Sequence, residues 1–206
     1  MAVDLKPNLD PARSAVVVFE CQERIVGPDS VLPGLARAVR DRDVLSHISD
    51  LADAARSAAV TVVHCTFERG DASTINASTM NTPLELRMRA GGAAPPSMGP
   101  IVAELAPRDT DVVVTRSDGL TGFHGTILDH ALRSAGATTI VLTGVSVNIG
   151  ILGTAIEAVN RGYTVVIPTD CVAGDPPEYA DQALRYSLRN VAFLTTSADV
   201  ARSWDP

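Results

Sequence analysis

The stretch SAVVVFECQE, residues 14–23, decides how the chain is read. Ala15 to Phe19 are all apolar, and Val16, Val17 and Val18 are β-branched, which is a strand signal. The run shows no alternation of apolar and polar residues. Such a strand is buried on both faces, as in a parallel sheet covered by helices. The run then stops on Glu20, with Cys21 and Gln22 directly behind it. A core strand that ends in a carboxylate raises the question of what the acid does there.

Five further apolar runs resemble the first: 60–65 (VTVVHC), 111–115 (DVVVT), 138–143 (TTIVLT), 163–168 (YTVVIP) and 191–195 (VAFLT). Helical periodicity separates most of them. Residues 43–58 place Val44, Ile48, Leu51 and Ala55 on one face, and 126–135 place Ile127, Leu128, Ala131 and Leu132 inward. Residues 149–161 and 177–189 read similarly. Strand alternating with helix predicts an α/β fold, a three-layer α/β/α sandwich around a six-stranded parallel sheet with right-handed crossovers. Two connections exceed the usual loop length, about 22–42 and about 67–110. The second reads as a long insertion or lid. Both follow the carboxyl ends of strands, where open α/β sheets bind ligands.

The whole chain bounds the partners. At 206 residues it is expected to be one domain, 1–206, with 1–13 as an N-terminal tail. It is 46% hydrophobic and 20% charged, a globular composition, and with aromatics at 4% the aliphatic residues must fill the core. A net charge of −7 leaves no basic stripe for a phosphate backbone, so no nucleic acid partner is expected. No apolar stretch approaches the ~20 residues of a membrane span, and MAVDLKPNLDPAR lacks the apolar centre of a leader peptide. The expectation is a cytoplasmic protein with no membrane association. Cys21, Cys65 and Cys171 are odd in number and far apart, which favours reduced thiols.

Glu20 stands at the ligand-binding edge, where partial desolvation raises a carboxyl pKa and suits proton transfer. The plainer reading is a loop cap or an ion pair. Arg116 follows the run DVVVT directly and is either a partner for Glu20, a bidentate anion ligand, or a loop arginine. After TTIVLT comes GVSVNIGILGTA, 144–155. Gly144 permits a sharp turn, and amides at the start of the next helix would point at an oxyanion or anion. The GxGxxG spacing is absent, so no dinucleotide cofactor is expected.

Together these pieces resemble the isochorismatase-like hydrolase superfamily, the cysteine hydrolase family, over roughly 14–195. The family's D-x-Q after the first strand is matched by Glu20-Cys21-Gln22. TGFHGTILDHALRSAG, 121–136, matches its central segment. GVSVNIG, 144–150, and TAIEAVNRGY, 154–163, match its G-V-x-T-x-x-C and T-A-x-x-A-x-x-x-G-Y segments. The resemblance implies a Rossmann-like sheet of order 3-2-1-4-5-6, a small-molecule substrate, a homo-oligomer (dimer or tetramer), and a cis peptide at Val145–Ser146. In the amidase branch an aspartate, a lysine and a cysteine form the triad. Here the aspartate position holds Glu20 and the cysteine position Gly150, while the lysine position falls at Arg116 or Ser117.

Glycine offers no nucleophile, so acyl-enzyme chemistry is not available at position 150. Isochorismatases also lack that cysteine and work by proton transfer from the aspartate. The expected function is therefore hydrolysis of a vinyl ether or C–N bond by acid–base chemistry. Glu20, Arg116 and Gly150 stand at the catalytic positions. Gln22, His64, Phe123, Val145, Ser146, Asn148 and Ile149 are the candidate substrate-binding residues. Plainer roles stand beside these: a loop lock for Gln22, core packing for Phe123, a supporting contact for His64, a helix cap for Asn148. The alternatives are a ligand-binding or scaffolding protein derived from the family, and an amidase with Cys21 as relocated nucleophile. Arg87 and Arg89 in the insertion read as a solvated helix face or as ligands for an anion. The metal-binding aspartate and histidines of some family members have no counterpart here, so no metal or other cofactor is expected.

Overall fold

Every second residue of the first strand packs to the same side, and both sides are covered. In a computed structural model, which describes residues 8–69, 82–90, 92 and 97–205, that strand is β1 (Ser14–Phe19). The later strands are β2 (Thr61–Phe67), β3 (Val112–Arg116), β4 (Thr139–Val145), β5 (Thr164–Pro168), β6 (Val172–Ala173) and β7 (Phe193–Thr195). The helices are α1 (Glu23–Val26), α2 (Pro33–Asp41), α3 (Val44–Ser57), α4 (Pro83–Ala90), α5 (Leu128–Ser134), α6 (Leu152–Asn160), α7 (Pro177–Tyr186) and α8 (Ser197–Trp204).

All the strand pairs are parallel, in the order β3-β2-β1-β4-β5-β7. Val16 and Val18 join a core cluster with residues of α2, α3 and α8, whereas Ala15, Val17 and Phe19 join a second with residues of α5, α6 and α7. These are the two helical layers, and they explain why β1 carries no polar residue after Ser14. The strand order reverses between β1 and β4, which opens a crevice beyond their carboxyl ends.

The sheet has seven strands where the sequence predicts six. The extra one, β6, pairs Gly144 with Val172 and Val145 with Ala173 beside the end of β4. A two-residue strand is too short to carry a periodic signal. The tail assigned to 1–13 also needs revision over its described part. Leu9 is buried, and the Trp204 indole N–H donates to its carbonyl at 3.0 Å, which fastens α8 to the start of the fold. Residues 1–7 lie outside the described residues.

The connection 22–42 holds α1 and α2, with Pro33 opening α2 where a missing N–H costs nothing. The insertion assigned to 67–110 begins inside β2 and contains α4; residues 70–81, 91 and 93–96 lie outside the described residues. No helix among the described residues is long and apolar enough to cross a membrane.

Ile140, 1% exposed near the start of β4, tests this layering. Ile140→Ala is expected to cost about 2–5 kcal/mol in chemical denaturation. Ile127→Ala, on a side chain 60% exposed, is expected to stay within ~0.5 kcal/mol.

Candidate active site

The carboxylate ends its strand by leaving strand geometry. Glu20 has φ +54, the left-handed region that non-glycine residues enter at a cost of roughly 1–2 kcal/mol. Its N–H still donates to Cys65 O at 2.8 Å, so the backbone stays tied to β2 while the chain turns. The turned side chain forms an ion pair with Arg116, the last residue of β3. Arg116 reaches across β2 to do so. Its guanidinium carbon lies 4.6 Å from the centre of the Phe67 ring and 5.6 Å from that of Phe19. Nη1 also donates to Gly119 O at 2.6 Å, which fixes the fork. Burial raises the Glu20 pKa above the ordinary glutamate value, and the charge and hydrogen bond of Arg116 offset part of that rise.

Glu20 and Arg116 face a cavity of about 110 Å³. Apolar side chains from α1, α2, α4 and the strand ends form most of its wall, among them Ile25, Leu35, Met88, Met98 and Leu120. Ser146, Ile149 and Gly150 enter from the turn after β4. That turn is a short π-helix, Val147–Ile151, leading into α6, a distortion frequent at functional sites. The Val145–Ser146 peptide is cis.

Two glycines make close approaches here. Gly144 has φ +100, and a Cβ on it would lie 2.1 Å from Phe19 O, so β4 can pass β1 only as glycine. A Cβ on Gly150 would lie 2.5 Å from Phe19 Cε1. The Phe19 ring therefore occupies the space into which a side chain at position 150 would grow.

The remaining sequence-derived candidates separate by location. Gln22 is buried as a lock: its Oε1 accepts from Phe67 N–H at 2.7 Å, and its Nε2 donates to Gly99 O at 2.9 Å and Glu68 Oε1 at 3.0 Å. His64 lies within β2 opposite Val18, with Nε2 3.3 Å from Asp111 Oδ2. Phe123 is buried in the core and stacks on Tyr163 with ring centres 6.0 Å apart. Val145 is buried in the opposite core cluster. Asn148 lies in the π turn, where it makes no cap; its Nδ2 donates to Asp175 O at 2.7 Å. None of these five lines the cavity.

Cys21 does not line it either. Burial, with Glu20 adding to it, pushes the Cys21 thiol up to about 12. Arg89 pairs with Glu85 at 2.8 Å, and the side chain of Arg87 lies outside the described residues.

The Isochorismatase domain profile matches residues 14–199. The chain belongs to the isochorismatase family. YwoC of Bacillus subtilis (strain 168), an uncharacterized isochorismatase family protein, is 29% identical over 194 residues, covering 93% of this chain and 94% of that protein. The ureidoacrylate amidohydrolase RutB of Azorhizobium caulinodans is 25% identical over 207 residues, covering 93% and 90%. Among solved structures, a cysteine hydrolase from Pseudomonas syringae pv. phaseolicola 1448A superimposes with a TM-score of 0.78 at 27% identity, covering 95% of this chain and 93% of that one. In this isochorismatase-family chain Glu20, Arg116 and Gly150 line one cavity.

Sequence reasoning missed Arg69 and Glu85, both of which line the cavity. Arg69 lies two residues beyond Phe67, and Glu85 and Arg89 are spaced as a helical ion pair. Those were the available signals.

The contact between Phe19 and Gly150 makes a prediction of its own. Gly150→Cys is expected to cost about 1–3 kcal/mol by overpacking. A double-mutant cycle with Phe19→Leu, read by denaturant titration, is expected to show a favourable coupling as the smaller side chain relieves the clash.

Proposed function

We propose that this chain hydrolyses a small molecule at a C–N bond by acid–base chemistry on Glu20, with no cysteine nucleophile. The observation that carries the reading is the Glu20–Arg116 ion pair on the wall of a cavity whose turn holds Gly150. Glu20 accepts a proton from water as the water oxygen bonds to the substrate carbon. The C–N bond then breaks, and the proton passes from Glu20 to the leaving nitrogen. Arg116 orients the carboxylate and balances its charge in surroundings of low dielectric. The turn at 146–150 is the place for the developing oxyanion. Ile149 and Ile151 N–H groups already donate to Ser146 O at 3.3 Å and 3.0 Å, so other amides of the turn must serve. The likeness to an amidohydrolase favours a C–N bond over a vinyl ether. Cys21, buried and outside the cavity wall, has no part in this reading.

The test is product formation, followed by mass spectrometry, from a panel of small amides, ureides and vinyl ethers. Glu20→Gln, shown to be folded, is expected to lose about 10²–10⁴-fold in turnover. Full activity in that variant would remove Glu20 from the chemistry. Ligand binding without turnover by the wild type would instead support a binding protein built on the family site.

The pH profile carries a sign. A general base works as the carboxylate, so kcat/KM is expected to rise with pH through the Glu20 pKa. Burial places that midpoint above the ordinary value of 4.5. A rate falling through the same midpoint would assign Glu20 the acid role that a vinyl ether requires.

A further inference from the structure

The cavity draws its described wall from two sources. Its polar end comes from the carboxyl edge of the sheet, with Glu20 after β1, Arg116 ending β3 and Ser146 after β4. The segments laid over that edge bring mostly aliphatic and thioether side chains. Ile25 of α1, Leu35 of α2, Phe67 of β2 and Met98 are all buried and form the inner part. Arg69, Thr82 and Glu85 also line the cavity, but Arg69 and Glu85 are buried and present little surface to a ligand.

Three further wall residues are large, apolar and exposed: Leu84 of α4 (37%), Leu120 after β3 (41%) and Ile149 in the π turn (43%). One exposed aliphatic side chain needs no explanation. Here three of them, from three separate segments, stand on the wall of one cavity. A wall residue that keeps over a third of its surface in solvent marks where the cavity opens, so these three form an apolar rim. Leu120 and Ile149 are held in place by the polar end itself. Gly119 O accepts from Arg116 at 2.6 Å, and Ile149 N–H donates to Ser146 O at 3.3 Å. The interior behind the rim is small. A cavity of about 150 Å³ holds benzene, so one of about 110 Å³ holds about four or five non-hydrogen atoms. An amide group fills most of that and leaves room for about one or two carbons.

We propose that the substrate is an amide whose apolar chain outgrows the cavity, and that Leu84, Leu120 and Ile149 determine specificity by covering the part that emerges. This rests on reading the cavity as the substrate site. With the amide group at Glu20 and Arg116, the first carbons lie among Leu35, Phe67 and Met98. The next carbons meet the rim. Each methylene strengthens binding about fourfold when fully withdrawn from water, and about twofold when one side stays in solvent. Covering the rim also removes three exposed aliphatic side chains from water, a gain that a short amide cannot make. Met88 and Met98, unbranched and polarizable, let the wall adapt to the chain that passes them.

The experiment is equilibrium binding of the unbranched primary amides from acetamide to hexanamide to the full chain, by ligand-observed NMR and calorimetry. A cavity without a working rim gains nothing beyond propanamide. The wild type is instead expected to bind hexanamide at least about eightfold more tightly than propanamide, about twofold for each added methylene. Leu120→Ser and Ile149→Ser, made singly at exposed positions and checked by circular dichroism, are each expected to shrink that ratio to less than about fourfold. If one variant is misfolded, the other decides. If both are, the wild-type ratio decides. Hexanamide within about twofold of propanamide on the wild type, no binding of any amide, or a ratio unchanged in the folded variants overturns the proposal. Ammonia release from the same amides is followed separately. Chain-length selection without hydrolysis would sink the hydrolase reading and leave this one standing. Hydrolysis with no gain beyond propanamide would do the reverse.

Discussion

The double burial of β1 constrains everything else. Hydrogen-bonded to β2 and β4 along its edges and covered by helices on both faces, β1 has no direction in which a polar side chain can reach water. Its chemistry has to wait for its carboxyl end. There the strand order reverses, and the helical layers leave a crevice. Glu20 is the first residue past that boundary, and its left-handed backbone turns it out of the strand's alternation. The close approach of Gly144 to Phe19 O belongs to the same constraint, because it lets β4 end beside β1 and deliver the π turn to the same crevice.

The ion pair follows from strand geometry. Adjacent strands lie about 4.8 Å apart, so a group on β3 is about 10 Å from a group on β1. The long side chain of Arg116 spans most of that distance over Phe67, with Glu20 completing it from the other side. An arginine suits this crossing. It keeps its charge, and its planar face rests on the aromatic ring while its edge holds Glu20 and Gly119 O. The result is a carboxylate balanced between burial, which favours its neutral form, and a guanidinium, which favours its charged form. Such a balance is what proton exchange with a bound molecule requires. At position 150 the opposite holds: the Phe19 ring fills the space a nucleophile would need, so the site's polarity resides in the pair.

The sheet was legible because its signals are local and repeated. The six apolar runs fall on β1 to β5 and β7, within two residues at each end, since fully buried parallel strands are written as unbroken aliphatic stretches. The two-residue β6 is legible only from its neighbours. The acid and arginine of the site were legible because they break those runs at their carboxyl ends. Gln22, Phe123 and Val145 sit in the right segments, yet their side chains point into backbone locks or core, and no spacing rule reports which way a loop side chain turns. His64 misled for a related reason: β2 continues to Phe67, past the apolar run 60–65, so a residue near the end of that run is an interior one. Arg69 and Glu85 escaped because they lie 16 residues apart, and their meeting depends on how the insertion returns over the sheet.

The two ion pairs divide the work of the site by what they are anchored to. Glu20 and Arg116 both belong to strand ends, and their separation is fixed by the sheet ladder. Arg69 leaves β2 just beyond the ladder, whereas Glu85 arrives on α4, which is held to the sheet by side chains. A change in α4 therefore alters the wall without moving Glu20. Phe67 joins the two halves, with the guanidinium of Arg116 at 4.6 Å and that of Arg69 at 5.4 Å from the same ring. Two cations sharing one aromatic ring repel each other in a medium of low dielectric, and each has a carboxylate beside it.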